Sequence, residues 1–259
     1  MATSSITATD GSRIVYDVAG EGPAIILLHG GGGGQTRRSW HQIGYVERLK
    51  KDFTVITMDI RGHGDSSKPT DPAFYAIDTM CNDVLAVADA CHVDQFILWG
   101  FSYGGNIGRY LAAKSERVSK CIVIGIPFSL AASGDFRQFI LDFQSHWQSI
   151  VKEYLLGSLE VASLPAQDQE TWHQHEVPVT LAWFTAMLEW GHNAPRDLRC
   201  PTLWFAGSKN EATLASMEEF KEELQDSSVQ IQVVDGLTHI QEFDEIELVF
   251  PTMLAFTKD

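Results

Sequence analysis

Short apolar runs that could form buried strands alternate with helix-like stretches along most of this 259-residue chain. Such alternation is typical of a largely parallel sheet flanked by helices, and a chain of this length can build one large core. The first two runs are more polar and alternate in hydrophobicity, which favours antiparallel strands at the edge of the sheet. The eight candidate strands are Ser5–Thr9, Arg13–Val18, Ala24–Leu28, Thr54–Met58, Gln95–Trp99, Lys120–Ile124, Thr202–Phe205 and Val229–Val234.

Residues 127–199 interrupt this alternation with longer apolar stretches at helical spacing. The first stretch runs from Phe136 to Tyr154; the second runs from Val179 to Trp190 and stops at Gly191, a residue type that often ends helices. Outside this segment, helices are predicted over Tyr45–Lys50, Ile77–Ala90, Gly104–Lys114, Ser216–Gln225 and Ile246–Phe256.

The pentapeptide Gly100-Phe101-Ser102-Tyr103-Gly104 directly follows an apolar run and precedes a helix-like stretch. A serine on a sharp strand-to-helix turn exposes its hydroxyl, and glycine allows the backbone to pack that tightly. The position therefore indicates that Ser102 is a nucleophile. The pentapeptide alone is a weak signal, so other segments of the chain must support this interpretation.

Three other motifs each follow a candidate strand. They are His29-Gly30-Gly31-Gly32-Gly33-Gly34, Asp59-Ile60-Arg61-Gly62-His63-Gly64-Asp65-Ser66 and Asp235-Gly236-Leu237-Thr238-His239. In these motifs and their order the chain resembles the α/β-hydrolase fold family, in particular a serine esterase-like branch with a short helical cap. The resemblance implies an α/β fold: a mostly parallel eight-stranded sheet flanked by helices. Residues 1–126 and 200–259 would form this core, and residues 127–199 a helical cap insertion.

The resemblance also implies roles for individual residues. A serine hydroxyl needs an adjacent base, and histidine titrates near neutral pH. His239 stands where the family places this base. The family's oxyanion hole consists of two backbone N–H groups, which here belong to Tyr103 and Gly31. Such a site requires no metal and no organic cofactor.

The acid of the triad departs from the family pattern. Its usual position, a few residues after the seventh strand, holds Asn210, and Glu211 follows. A carboxylate there would fix the tautomer of His239 and stabilise its imidazolium form. Glu211 could supply that carboxylate, or Asn210 could orient the ring without charge, or the site could be weak or idle. The sequence leaves these three alternatives open.

Aromatic side chains are concentrated in residues 127–199, which hold Trp147, Trp172, Trp183 and Trp190, four of the seven tryptophans. A cap this rich in aromatic rings predicts an apolar pocket for a hydrophobic or aromatic portion of a small-molecule substrate. We expect Gly32, Phe128, Trp147 and Trp183 to line this pocket.

Composition restricts the partners and the compartment. The formal net charge of −15 disfavours binding to nucleic acid. No apolar run approaches the roughly 18 residues that span a membrane, and the first 23 residues lack the features of a signal peptide. The four cysteines form no C-x-x-C pair and are expected to be reduced, which fits a cytoplasmic location. The oligomeric state is left open.

The resemblance implies a serine hydrolase that cleaves a small or medium apolar ester, thioester or lactone through an acyl-enzyme. A second hypothesis keeps the same residues and changes the reaction to carbon–carbon bond hydrolysis or cofactor-free perhydrolysis. A third hypothesis is a low-turnover ligand receptor that retains a hydrolase fold. Branches that use an aspartate nucleophile are disfavoured, because the elbow holds a serine.

Overall fold

The computed structural model describes residues 2–32, 34–225 and 227–258, so Gly33 of the glycine run lies outside the described residues. The strands are β1 (Ala2–Thr7), β2 (Arg13–Ala19), β3 (Ala24–Leu28), β4 (Thr54–Met58), β5 (Phe96–Phe101), β6 (Val118–Ile124), β7 (Thr202–Gly207) and β8 (Val229–Val234). The helices are α1 (Arg37–Ile43), α2 (Tyr45–Leu49), α3 (Ile77–Ala90), α4 (Tyr103–Lys114), α5 (Gly134–Leu155), α6 (Ala166–His175), α7 (Val177–Leu188), α8 (Glu211–Glu219), α9 (Lys221–Leu224), α10 (Gln241–Asp244) and α11 (Ile246–Lys258).

Within the described residues, eight strands form one sheet in the order β1-β2-β4-β3-β5-β6-β7-β8. Strand β2 pairs antiparallel with β1 and β4, and the other neighbours run parallel. The predicted mostly parallel sheet of eight strands is therefore confirmed, including the antiparallel first two strands. Strand β1 starts at Ala2 rather than Ser5, because its pairing with β2 sets its extent and its own hydrophobicity does not.

Alternate side chains of the central strands face two separate apolar layers. Along β3, Ile26 and Leu28 pack with residues of α3 and α4, whereas Ile25 and Leu27 pack with residues of α1, α2 and α11. Such a strand is apolar on both faces and reads as a continuous run in the sequence. The parallel strands consequently end at one edge of the sheet, which is where open α/β sheets place their ligand sites.

Helices α5, α6 and α7 lie between β6 and β7 and are called the helical insertion below. Helix α7 packs on the main core through Trp183 and Met187. Helices α5 and α6 contribute Trp147 and Trp172 to a smaller apolar cluster that also contains Leu181 of α7. The insertion is thus attached to the sheet mainly through α7.

Arg109 on α4, the helix that follows Ser102, contacts both segments that lead into and out of the helical insertion. Those segments pair at an isolated bridge between Ser129 and Asn193. The Nη1 group of Arg109 donates to the carbonyl oxygens of Ser129 and Asn193, at 3.2 and 3.0 Å. Burial lowers the pKa of this guanidinium to about 10, since its hydrogen-bond acceptors are neutral oxygens. The contacts fix the insertion relative to the helix that begins after Ser102.

The helices outside the insertion differ from the predicted ones in two ways. The predicted helix Ser216–Gln225 is divided into α8 and α9, and α8 begins at Glu211 because the Asn210 side chain caps it by accepting from the Thr213 N–H. Helix α1 was not predicted, since its polar sequence buries only Arg37 and Trp40.

Candidate active site

Ser102 lies on the turn between β5 and α4, with backbone angles φ 51° and ψ −116°. These angles are strained for a residue other than glycine. A Cβ atom at Gly100 would overlap the Gly104 carbonyl oxygen, and one at Gly104 would overlap the Leu28 carbonyl oxygen. The two flanking glycines are therefore required by close backbone approach, and they allow the turn to present the Ser102 hydroxyl.

Gly100→Ala is expected to destabilise the protein by about 3 kcal/mol or more, because two backbone segments would have to separate. Gly191→Ala is a matched control, since nothing lies within 4 Å of a Cβ at Gly191, and should cost less than about 0.5 kcal/mol. Urea unfolding of both variants measures the difference. Equal stabilities would show that the elbow does not need this glycine.

His239 follows β8, and its ring contacts the Ser102 side chain. Its Nε2 atom lies 3.0 Å from the Ser102 Oγ atom, which is hydrogen-bonding distance. The ring stacks on Phe101, with centroids 5.0 Å apart, and Phe101 in turn stacks on Phe243. The structure thus brings the predicted nucleophile and base together, with an aromatic stack that restricts the orientation of the imidazole.

Glu242 provides the carboxylate that contacts His239. Its Oε2 atom lies 3.0 Å from His239 Nδ1, and the residue is fully buried. The Oε1 atom accepts from the Gly207 backbone N–H at 2.7 Å and from the Asn210 amide at 2.9 Å. Hydrogen bonds of this kind stabilise an ionised carboxylate in a buried position. An ionised Glu242 holds the proton of His239 on Nδ1 and leaves Nε2 free to accept from Ser102.

The structure places neither of the two expected residues in the position of the acid. Glu211 is exposed in the first turn of α8 and forms neither a hydrogen bond nor an ion pair with His239 among the described residues. The Nδ2 group of Asn210 is 3.4 Å from His239 Nδ1, but both groups carry protons when Nδ1 donates to Glu242. Asn210 instead donates to Glu242 and to the Gly125 carbonyl oxygen at 3.0 Å.

A sequence signal for Glu242 was available but not used. Glu242 lies three residues after His239, close to one helical turn, and short helix α10 begins between them at Gln241. Residues at this spacing lie on one face of a helix, so a carboxylate there can meet the histidine. The family pattern instead predicts the acid after the seventh strand, whereas Glu242 lies after the eighth.

Gly31 and Tyr103, the two residues predicted to supply the oxyanion-hole N–H groups, line the same cleft as Ser102. A Cβ at Gly31 would stand 3.1 Å from Cβ of Tyr103, so the two residues are neighbours. Neither N–H donates to an acceptor within residues 2–32, 34–225 and 227–258. His63 Nε2 contacts the Gly31 carbonyl oxygen at 3.0 Å and helps to orient this loop. The structure thus brings the two predicted oxyanion-hole residues together at the cleft that contains Ser102.

His29 and His63 are buried and hold the loops around the site. The Ile60 N–H donates to His29 Nε2, so His29 carries its proton on Nδ1 and donates to the Gly30 carbonyl oxygen. Burial lowers the pKa of His29 to about 3, and burial also lowers the pKa of His63. Both rings are therefore neutral at pH 7 and serve as fixed hydrogen-bonding groups.

A cleft of about 1430 Å³ opens above Ser102 and His239. Each residue expected to line the pocket does so: Gly32, Phe128, Trp147 and Trp183. Further aromatic rings, from Phe136, Phe139, Phe143 and Phe184, also line the cleft. Within the part of the chain that the structure describes, no group of three or more His, Cys, Asp or Glu side chains could hold a metal ion.

Comparison with known proteins agrees with this architecture. The model of the alpha/beta hydrolase fold family matches residues 23–140. The solved enol-lactonase from Burkholderia xenovorans superposes with a TM-score of 0.74 at 21% identity, over 99% of this chain and 100% of that one. The chain therefore has the α/β-hydrolase fold. Epoxide hydrolases from metagenomes of hot environments are also similar in structure, with a TM-score of 0.74 at 20% identity over 99% of this chain and 98% of theirs.

Curated relatives of this α/β-hydrolase-fold protein match over shorter regions. A putative 2-succinyl-6-hydroxy-2,4-cyclohexadiene-1-carboxylate synthase from Bacillus subtilis is 30% identical over 146 residues, 54% of this chain and 51% of that protein. Epoxide hydrolase 4 from Mus musculus is 32% identical over 121 residues, 45% of this chain and 32% of that protein. The chain thus spans about half the length, or less, of these relatives. Among the described residues, no helix has the length and hydropathy needed to cross a membrane.

Proposed function

We propose that this protein is a serine hydrolase that cleaves a small or medium apolar ester, thioester or lactone through an acyl-enzyme. The observation that carries the proposal is the continuous set of contacts from Ser102 Oγ through His239 to Glu242, each 3.0 Å long. This arrangement has the geometry of a nucleophile, a general base and an orienting carboxylate. The adjacent N–H groups of Gly31 and Tyr103 add a position for the developing oxyanion.

The proposed reaction has two halves. Ser102 Oγ attacks the carbonyl carbon as His239 Nε2 takes its proton, and the Gly31 and Tyr103 N–H groups hold the carbonyl oxygen as it becomes negative. The imidazolium then donates its proton to the leaving alkoxide or thiolate, and an acyl-Ser102 ester remains. Water, deprotonated by His239, attacks this ester, and the proton returns to Ser102 Oγ as the carboxylic acid leaves. Glu242 stays ionised throughout and stabilises each imidazolium.

The reaction named for the epoxide hydrolase relatives fits this site poorly. If a serine oxygen opened an epoxide, the covalent product would be an alkyl ether, which an activated water does not cleave as it cleaves an ester. A carboxylate nucleophile would avoid this problem, but the elbow holds Ser102. The low-turnover receptor hypothesis is favoured only if His239 lacks a carboxylate partner. Glu242, at 3.0 Å from His239, is such a partner.

We further propose that the helical insertion acts as a cap and that residues 1–126 and 200–259 form the core. The insertion contributes Trp183, Phe184 and Met187 to the cleft above Ser102.

All four cysteines, Cys81, Cys91, Cys121 and Cys200, are free thiols. Their reduced state supports the cytoplasmic location expected from the sequence.

Initial rates with p-nitrophenyl esters of graded acyl length, and with a styrene-type epoxide, test the proposed reaction class. We expect saturable turnover of short and medium acyl esters that depends on Ser102, and no diol formation from the epoxide. Diol formation without ester turnover would contradict the proposal.

Trp183→Ala is expected to raise KM about tenfold for esters with bulky acyl groups, and less for acetate. Trp183 lines the cleft, and its ring packs 4.8 Å from that of Tyr103, so its loss removes apolar contact area for a bulky acyl group. Trp172→Ala is the matched control, since Trp172 is a buried tryptophan of the insertion that does not itself line the cleft. Equal losses for all esters in both variants would indicate that Trp183 only supports packing.

A further inference from the structure

Helix α5 carries an apolar stripe that is covered by protein in only part of its length. Ile140 and Trp147 are buried, whereas Phe136 and Phe139 are 43% and 54% exposed at the cleft. Phe139 packs edge-on against Phe184 of α7, with centroids 5.8 Å apart. Four rings form this surface, which we call the phenylalanine ridge: Phe136, Phe139, Phe143 and Phe184. Exposed rings that border a reaction site indicate a surface for an apolar ligand.

The charges around the same cleft are of one sign. Four exposed carboxylates line it and form no salt bridge within the described residues: Asp135, Glu211, Glu219 and Asp244. Glu176, also at the cleft, is neutralised by Lys68 at 2.6 Å. None of the described lining residues is a lysine or an arginine. Within a protein of net charge −15, this cleft has a negative potential that no lysine or arginine among the described lining residues offsets.

We infer that the cleft selects its substrates by charge: it takes a cationic or uncharged apolar group along the phenylalanine ridge and rejects substrates that carry a carboxylate. This inference rests on the proposed function, because it concerns the part of the substrate beyond the scissile bond. For groups of equal size, it predicts that a cationic group is preferred to a neutral one and that a neutral group is preferred to an anionic one. A carboxylate-bearing substrate, such as the one in the name of the Bacillus subtilis relative, would be a poor ligand.

Two physical effects act together in this selection. Aromatic faces attract a cation such as a quaternary ammonium group, and the ridge offers exposed faces close to carboxylates. Clefts lined by charges of one sign concentrate the field, so that ligands of opposite charge bind faster and like-charged ligands are repelled. The second effect is screened by salt, whereas the apolar contact with the ridge is not.

Three p-nitrophenyl esters with acyl chains of equal length provide the first test. The chains end in a trimethylammonium, a tert-butyl or a carboxylate group, so that shape is nearly constant and charge changes. We expect kcat/KM to be at least about tenfold higher for the cationic ester than for the anionic one at low ionic strength. The ratio should fall towards one in about 0.5 M salt, where the Debye length is only a few Å.

Two variants with matched controls assign the preference to the cleft. Asp135→Asn combined with Glu219→Gln should reduce the ratio of kcat/KM for the cationic ester to that for the anionic ester at least about threefold. Glu153→Gln changes an exposed acid on α5 outside the cleft and should leave this ratio unchanged.

Phe139→Ala should raise KM for the cationic and tert-butyl esters. Leu155→Ala removes an equally exposed apolar side chain of the same helix outside the cleft, 53% exposed, and should leave KM unchanged.

Binding to Ser102→Ala separates this inference from the proposed function, because it requires no turnover. Calorimetry would compare 4-phenylbutyl-trimethylammonium, 4-phenylbutanol and 4-phenylbutyrate. Tightest binding of the ammonium compound and weakest binding of the carboxylate support the inference even if no ester is hydrolysed. Equal affinities, or a preference for the carboxylate, overturn it even if Ser102-dependent ester hydrolysis is found.

Discussion

Ser102→Ala is expected to lower kcat for ester hydrolysis by about 10⁴-fold or more, while the protein stays folded. The hydroxyl is the group that would form the covalent bond, and no other hydroxyl is within hydrogen-bonding distance of His239 among the described residues. Alanine also fits the turn between β5 and α4 about as well as serine does, since both residues carry a Cβ. The loss should therefore be chemical rather than structural.

Steady-state rates and thermal unfolding of the same preparation measure this effect. If a folded Ser102→Ala protein retains more than about a tenth of the wild-type rate, the assignment of Ser102 as the nucleophile is contradicted. An unfolded variant would be replaced by Ser102→Cys, which keeps a nucleophile of different reactivity on the same turn.

Glu242→Gln is expected to reduce kcat by about 10³-fold to 10⁴-fold, as for loss of the charge next to a catalytic histidine. The glutamine has nearly the same shape, but it cannot stabilise the imidazolium and can present an amide N–H to Nδ1. Glu245→Gln is a suitable control, since Glu245 is exposed at the end of α10 and does not line the cleft. Stopped-flow rates with one activated ester measure both variants.

Adding Asn210→Asp to Glu242→Gln distinguishes loss of the carboxylate from loss of folding, because only a folded protein can regain activity from the new carboxylate. In the double variant Asn210→Asp with Glu242→Gln, a carboxylate oxygen can occupy the Asn210 Nδ2 position, 3.4 Å from His239 Nδ1. We expect this variant to recover at least about tenfold of the rate lost in Glu242→Gln.

A rescue of this kind would show that two positions, after β7 and after β8, can supply the carboxylate to one histidine. The assignment of Glu242 as the carboxylate partner of His239 is wrong if Glu242→Gln retains wild-type kcat. It is also wrong if kcat of the double variant is no higher than that of Glu242→Gln.

The sequence predicted the sheet because the strands are covered on both faces. Runs such as Ala24–Leu28 are apolar at every position, and the observed β3 has the same limits. Ser102 was recognisable because its turn requires a glycine at Gly100 and Gly104, where backbone segments meet. These features depend on local sequence, so they can be read without a structure.

The acid is harder to predict, because the three-residue spacing of His239 and Glu242 only permits their contact, whereas distant segments select it. Glu242 is held by the Gly207 N–H at the end of β7 and by Asn210 at the start of α8. These residues lie more than thirty positions away along the chain, and their approach follows from the pairing of β7 with β8. The charge of the cleft is likewise a property of the fold, since its carboxylates come from α5, α8 and α10.

The most direct test of the central claim is reaction of the wild-type protein with a fluorophosphonate, followed by intact mass measurement and peptide mapping. A nucleophilic Ser102, activated by His239 and Glu242, should take up one phosphonyl group per chain on the peptide that contains Ser102. Glu242→Gln should react at least about a hundredfold more slowly, and Ser102→Ala should not react. Ester turnover by a protein that remains unmodified at Ser102, or a stable adduct on another residue, would contradict the account.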